Sequence, residues 1–228
     1  EGKVTQQQIY DACRRILEAK FKLGLFDDPY KYCDENRART EVFTEANRAF
    51  ARSVAAQSFV LLKNKNNMLP LKKKGTIALI GPLADAATNM TGTWSVAARF
   101  SESITVLEGL KKAVGNNAKV LYAKGSNLHE DAAIEERATM FGKSLNRDAR
   151  SAEAIRDEAI RIAKSADVIV AAVGEGAEMS GEASSRVNID IPQTQRDLLK
   201  ALVQTGKPVV LVLFTGRPLT LTWENENI

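Results

Sequence analysis

Between Gly174 and Arg186 the chain carries three glutamates, Glu175, Glu178 and Glu182, on a loop interrupted by Gly176 and Gly181. A carboxyl group that donates a proton near neutrality needs its pKa raised from about 4.3 toward about 6, by burial or by a neighbouring negative charge. Acidic residues this closely spaced can supply either condition, so the loop is a candidate for general acid/base work on a bound ligand. The competing reading is an ordinary solvated acidic loop. Gly176 and Gly181 allow backbone conformations that other residues resist, and so let Glu182 project into a cleft. Arg186, four residues beyond Glu182, can hydrogen-bond a loop carboxylate or a peptide carbonyl and fix the loop's shape; a surface ion pair is its plain alternative.

Trp94 is the second residue of interest. It lies in the small-residue segment Gly92-Thr93-Trp94-Ser95, which lacks the periodicity of a core helix. Its aromatic face suits the apolar face of a sugar ring, and burial in the core is the rival reading. Asp85, upstream of that segment, could hold backbone amides. Other signals are weak. Gly174-x-Gly176 lacks the third glycine of a dinucleotide loop and is not followed at once by a helix, so no nucleotide cofactor is expected. His129 is the only histidine, which reads as a surface residue and leaves no metal site. Asn89-Met90-Thr91 matches a glycosylation sequon, a pattern short enough to arise by chance.

The elements that must carry these residues follow from periodicity. Val168 to Val173 is a run of six apolar residues bounded by glycine, a buried parallel strand whose carboxyl end feeds the acidic loop. Strands at Ile77 to Ile80, Val120 to Tyr122 and Val209 to Phe214 alternate with helices at Val106 to Val114, Ser151 to Ser165 and Gln193 to Thr205. That alternation predicts an α/β fold: a mostly parallel sheet sandwiched by helices. A long insert, Lys124 to Arg150, interrupts it. Thr222 to Ile228 reads as the first turn of a further helix.

The front of the chain differs. Thr5 and Gln8 form a capping box that opens a helix with an apolar stripe of Ile9, Cys13, Ile16 and Leu17, stopped by Gly24. A stripe of that kind needs a partner surface. Polar residues 31–39 predict a linker, a second helix runs from Thr40 or Glu41 to Gln57, and Phe59 to Lys63 reads as a short strand. The chain begins Glu1-Gly2-Lys3-Val4, without Met or the regions of a signal peptide, and reads as part of a longer protein.

Composition narrows the function. Of 228 residues, 44% are hydrophobic, and 32 basic against 28 acidic residues leave a net charge of only +4. The positive charges are scattered, and Lys72-Lys73-Lys74 reads as a solvated turn, so nucleic acid is not an expected partner. No apolar run has the length of a membrane span. Cys13 and Cys33 lack metal or redox spacing and read as two buried or free thiols, with pairing in an oxidising compartment as the alternative.

These residues together resemble glycoside hydrolase family 3, in particular the second domain of its bacterial periplasmic β-glucosidases. The resemblance rests on Phe21 to Asp27, Ser58 to Asn64 with Leu69-Pro70-Leu71, Ile80 to Asp85, Gly92 to Ser95, Gly174 to Arg186 with Ile189 to Gln193 and Gly206 to Leu211, and Gly216 to Leu219, in family order. It implies three segments: the last helix of an upstream TIM-like barrel at 1–30, an interdomain linker and helix at 31–57, and an α/β sandwich at 58–228 that continues past the chain's end. It also implies a retaining β-glycosidase, most simply a β-glucosidase, acting on a β-linked glucoside or oligosaccharide in the periplasm or outside the cell. Glu182, after Ser-Gly and four residues before Arg186, matches the family's general acid/base, with Glu178 and Glu175 in reserve. Ala183-Ser184-Ser185 departs from the family's usual small-aromatic-acid run. Trp94 matches a tryptophan of the sugar cleft. The family's aspartate nucleophile lies in a Ser-Asp-Trp-like segment that this sequence lacks, which places it upstream of Glu1 and predicts an inactive fragment. The alternatives are a non-catalytic α/β module that uses loop 174–186 to hold a ligand or partner, and a nucleotide-dependent oxidoreductase.

Overall fold

The computed structural model describes residues 2–95 and 97–228; Glu1, the first residue of segment 1–30, and Val96, two positions after Trp94 in the sequence, lie outside the described residues. The chain divides into two compact units, Glu1–Leu62 and Lys63–Ile228.

In the first unit, α1 (Gln6–Lys22) opens with the Thr5–Gln8 capping box: Gln8 N donates to Thr5 Oγ1 at 3.2 Å and Thr5 N to Gln8 Oε1 at 2.8 Å. Its apolar stripe is exposed, with Ile16 at 60% and Leu17 at 51%. A short helix, α2 (Arg37–Glu41), precedes α3 (Glu45–Ser58). The helix expected from residue 40 or 41 therefore starts later. Phe43 takes φ 56°, and Thr44 is extended at φ −61°, ψ 157°, where its hydroxyl caps Asn47 N at 3.2 Å. A threonine capping a helix lies outside it.

Phe59 to Lys63 is not a strand. Phe59 is 82% and Val60 78% exposed, and no described strand pairs with the segment. β-forming side chains make a strand only where a neighbouring ladder and a packed face receive them.

The second unit holds a four-stranded sheet in the order β2 (Lys119–Ala123), β1 (Thr76–Ile80), β3 (Val168–Gly174), β4 (Val209–Phe214), every pair parallel. Helix α6 (Ala152–Lys164) and α7 (Gln193–Val203) cover one face, where Ala78, Ile80, Ile169 and Ala171 meet Ala159, Ala163, Leu198 and Leu202. On the other, α4 (Val106–Val114) packs Leu107 and Val114 against Ile77, Leu79, Val170 and Ala172. This is the α/β sandwich expected from the alternation. The central strands β1 and β3 are buried on both faces, which explains their unbroken apolar runs; each fully buried Ile or Leu contributes about 1.5–3 kcal/mol.

The insert 124–150 carries helix α5 (Ala132–Ala138), and the chain's last helix is α8 (Thr222–Asn227). No helix among the described residues is long and apolar enough to cross a membrane. The strand order sets where the site-bearing loops emerge. From β1 the chain goes to β2 on one side, then returns past β1 to form β3 on the other. The loops leaving the carboxyl ends of β1 and β3 thus diverge at a topological switch point, where open parallel sheets hold ligands. The first of these loops carries Trp94 and the second carries the three glutamates.

Candidate functional site

The acidic loop begins at a tightly held strand end. Gly174 has φ +129°, and a Cβ there would lie 2.0 Å from the Phe214 carbonyl oxygen, so only glycine fits between β3 and β4. Gln195, fully buried on α7, clamps the same residue: its Oε1 accepts from Gly174 N at 2.8 Å, and its Nε2 donates to Gly174 O at 2.9 Å and Leu128 O at 2.6 Å. The next peptide continues the ladder, Glu175 N donating to Phe214 O at 2.8 Å.

Glu175 turns inward and is 3% exposed. Arg186 Nη1 donates to its Oε1 at 2.8 Å, Arg217 Nε makes an ion-pair contact with the same oxygen at 3.2 Å, and the Thr215 hydroxyl donates to Oε2 at 3.0 Å. Both guanidiniums then reach onward into the loop. Arg186 Nη2 donates to Asp190 O at 3.0 Å, and Arg217 Nη2 donates to Ser184 O at 2.9 Å and to Met179 O. One buried carboxylate thereby organises two arginines that pin the loop's carbonyls at residues 179, 184 and 190. A carboxylate can satisfy two guanidiniums because its oxygens offer about four lone pairs.

Glu178 is held differently. The Thr93 hydroxyl donates to its Oε2 at 2.6 Å, and Lys143 Nζ, from the insert, pairs with its Oε1. Burial pushes the Glu178 carboxyl up, but hydrogen bonds from Lys143 and Thr93, with the charge of the Lys143 ammonium, outweigh that and hold it below the ordinary carboxylate range. The peptide is fixed too, since the Ser184 hydroxyl donates to Glu178 O at 2.8 Å.

Glu182 has neither kind of anchor. It is exposed, and among the described residues its carboxylate has no hydrogen-bond or ion-pair partner. What fixes it is the backbone on either side. A Cβ on Gly181 would sit 2.6 Å from Thr93 Oγ1, so the loop rests directly on the Trp94 segment, and Ala183 takes φ 57°, an uncommon left-handed conformation for a residue with a side chain. The surrounding bonds hold that conformation in place.

Trp94 is 71% exposed, which rules out the core reading within this unit. Its loop is tied to the acidic loop from below by Asn89, which is 7% exposed and whose Oδ1 accepts from Ala177 N at 2.6 Å. The side chain of the sequon is therefore turned inward, where no glycan can be attached in the folded chain. Asp85 accepts from the Thr105 hydroxyl at 2.9 Å, and among the described residues no backbone amide donates to its side chain. His129, read as a surface residue, is half-buried, its Nδ1 accepting from Asp131 N at 3.0 Å. The turn at Ala177–Met179 is a single 3₁₀ turn, not the helix a dinucleotide loop would need. Cys13 and Cys33 are free and exposed.

Five contributors lay outside the residues singled out from sequence as site candidates: Lys143, Arg217, Asn89, Gln195 and Thr215. Arg217 stood within the Gly216 to Leu219 motif without a role, and Lys143 had no signal beyond its place in the long insert. The resulting arrangement is a loop pinned along its length: Glu182, whose carboxylate has no partner among the described residues, follows Gly181, which lies against Thr93, and the exposed Trp94 follows Thr93. Such a group can give a proton to a bound ligand and take one back, while the aromatic face packs on an apolar surface of that ligand.

Comparison with known proteins identifies relatives of the chain and of its fold. Residues 59–228 match the family described as glycosyl hydrolase family 3 C-terminal domain. The chain is similar to the periplasmic beta-glucosidase of Salmonella typhimurium, 49% identical over 228 residues that cover 99% of this chain and 30% of that protein. It is also similar to the beta-xylosidase of Formosa agariphila, at 38% identity covering 96% of this chain and 28% of that protein. Among solved structures, the beta-glucosidase from Listeria innocua in complex with isofagomine superposes with a TM-score of 0.77 at 33% identity, covering 99% of this chain and 28% of that one. The chain thus spans roughly three-tenths of the length of these relatives.

Proposed function

The chain belongs to glycosyl hydrolase family 3, whose C-terminal domain it carries at residues 59–228, and from that premise we propose that Glu182 is the general acid/base of a retaining β-glycosidase. The observation that carries this reading is the contrast among the three glutamates. Glu175 and Glu178 are engaged by cations that hold the loop, and Glu182 alone is exposed and unpaired among the described residues. A carboxyl already bound to one or two guanidinium or ammonium groups is a poor proton donor, because losing its charge would strand them.

In the proposed reaction an aspartate of the N-terminal barrel attacks the anomeric carbon as the glycosidic C–O bond breaks. Glu182 protonates the departing oxygen. The resulting carboxylate then takes a proton from water as that water displaces the aspartate and frees the sugar. Retaining chemistry of this kind needs its two carboxyls about 5–5.5 Å apart. Segment 1–30 is read as the end of that barrel and 31–57 as the connection to the sandwich. Trp94 packs on the sugar. The substrate is a β-linked glucoside, supported by the names of the β-glucosidases among the relatives, and the site of action is periplasmic or extracellular, supported by the name of the Salmonella relative. No cofactor takes part.

In the whole protein, Glu182→Ala should lower kcat on an alkyl β-glucoside by about 10²–10⁴-fold. Activated aryl glucosides should lose much less, and azide should restore their turnover by taking the vacated place. The same azide response from Glu178→Ala or Glu175→Ala, with Glu182→Ala active, would overturn the assignment. The isolated 228-residue chain should not hydrolyse an aryl β-glucoside, and turnover near that of the whole protein would refute the two-domain site.

A further inference from the structure

Lys143 is 2% exposed, and nothing in the proposed chemistry uses it. A buried ammonium is costly unless it is paired. Here it is bound twice, to the Glu178 carboxylate and to the Thr93 carbonyl at 3.2 Å, while the Thr93 hydroxyl closes the triangle on Glu178 at 2.6 Å. The three residues come from three separate segments: the loop after β1, the insert 124–150 and the loop after β3. The insert is itself tied down beside them, the Thr88 hydroxyl donating to Lys143 O at 3.2 Å and Ser144 O at 3.1 Å.

Two corners of the triangle adjoin groups assigned to the substrate. Thr93 precedes Trp94. Glu178 lies one turn of loop before Glu182, and Gly181, the residue before Glu182, is in close approach to the Thr93 side chain, where a Cβ would meet Cγ2 at 3.0 Å and Oγ1 at 2.6 Å. Well-packed apolar residues stabilise a fold as well as a buried ion pair does, so the pair's specific effect is geometric: it fixes which atoms face each other.

We infer that Lys143 is a positioning residue that couples the Trp94 loop to the Glu182 loop, so that the sugar-packing ring and the proton donor are set in one fixed relation. The inference rests on the assignment of Glu182 and Trp94 given above. Lys143 touches no reacting atom; it acts through Glu178 and Thr93. Losing it should therefore damage proton delivery more than folding, and damage it most where the leaving group needs the proton.

The test uses the whole protein. Lys143→Met alone strands the Glu178 charge and is accompanied by Lys143→Met/Glu178→Gln, which removes both charges while the glutamine can still accept from Thr93. The double variant should melt close to the wild type. Its kcat/KM on an alkyl β-glucoside should fall at least 30-fold, and on a dinitrophenyl β-glucoside no more than about threefold, because an activated leaving group departs without the acid. Equal losses on the two substrates, or an alkyl glucoside rate within threefold of the wild type, would overturn the inference. Glu182→Ala is measured alongside. If it keeps its activity, the site assignment falls and the inference with it; if it shows azide rescue while the double variant behaves as wild type, only the inference falls.

Discussion

Glu175 and Glu182 lie seven residues apart on one loop, and replacing each by alanine should have opposite consequences. The Glu175 side chain is 1% exposed and faces Arg186 and Arg217, whose side chains are 18% and 22% exposed. Removing one member of a buried ion pair costs about 3–5 kcal/mol, because the remaining charge is left uncompensated. Water can return to part of each guanidinium here, so the lower end applies, about 3 kcal/mol. For a unit of this size, a loss of 1 kcal/mol lowers Tm by about 2–4 °C, giving a fall of about 6–12 °C. Glu182 is exposed and bonds to no described side chain, so Glu182→Ala should stay within about 0.5 kcal/mol and shift Tm by no more than about 2 °C. The assay is thermal unfolding of the whole protein, followed through the transition that includes residues 63–228, with activity measured on the same samples. Glu175→Gln, which keeps an acceptor but not the charge, should fall between the two. A Glu175→Ala protein melting within about 2 °C of the wild type would refute the anchoring role drawn from the arginine geometry. So would a Glu182→Ala protein destabilised to the same extent.

Two further tests address the contact between the loops. Because the Glu178 carboxyl is held below its ordinary range, the stability it contributes is fully present above its unfolded value of about 4.3 and is lost as pH falls through the lower folded value. Glu178→Gln should therefore be less stable than the wild type at pH 7 and lose less stability below about pH 5, measured as urea midpoints across pH; parallel pH dependences would contradict this. Gly181→Ala forces a Cβ to 2.6 Å from Thr93 Oγ1 and should cost about 1–3 kcal/mol, part of which Thr93→Ala should restore. Strict additivity of the two substitutions would show that the contact is not the cause.

How far the sequence reveals this structure depends on whether a residue's role is local. The β3 run shows its double burial because parallel strands covered on both faces are apolar at every position, and the Thr5 cap shows itself because its partner is three residues away. Thr44 is equally local, yet the helical periodicity around it masked the cap. Phe59 to Lys63 has the composition of a strand, but whether a strand forms depends on a ladder partner that composition does not encode. Lys143 is one lysine in an insert without period, and its partner Glu178 is 35 residues away. Arg217 reaches Met179 O only because β4 pairs with β3, so its role follows from topology rather than spacing. Asn89 matched a surface motif, while its side chain serves a backbone amide 88 residues away.

On the proposed reading, the placement of charge in the acidic loop follows from what a loop after a parallel strand must do at a site completed by another domain. A carboxylate that meets a ligand has to stand clear of its own domain, and a loop that projects outward gives up the packing that would otherwise hold it. Here the neighbouring residues replace that packing: Glu175 gathers two guanidiniums under the loop, Glu178 takes an ammonium from the insert, and the strained Ala183 backbone is held between them. Apolar anchors would stabilise the base as well, but they would not reach the carbonyls at 179, 184 and 190, and those bonds fix the direction in which residue 182 points. General acid catalysis also calls for a site from which water is largely excluded, and Glu182 is exposed in this chain. On the proposed reading the barrel supplies the excluding wall together with the nucleophile. On the same reading the sandwich devotes one buried and one half-buried glutamate to holding a third in the open, so that one domain sets the geometry of the proton donor and the barrel sets the medium in which the donor works.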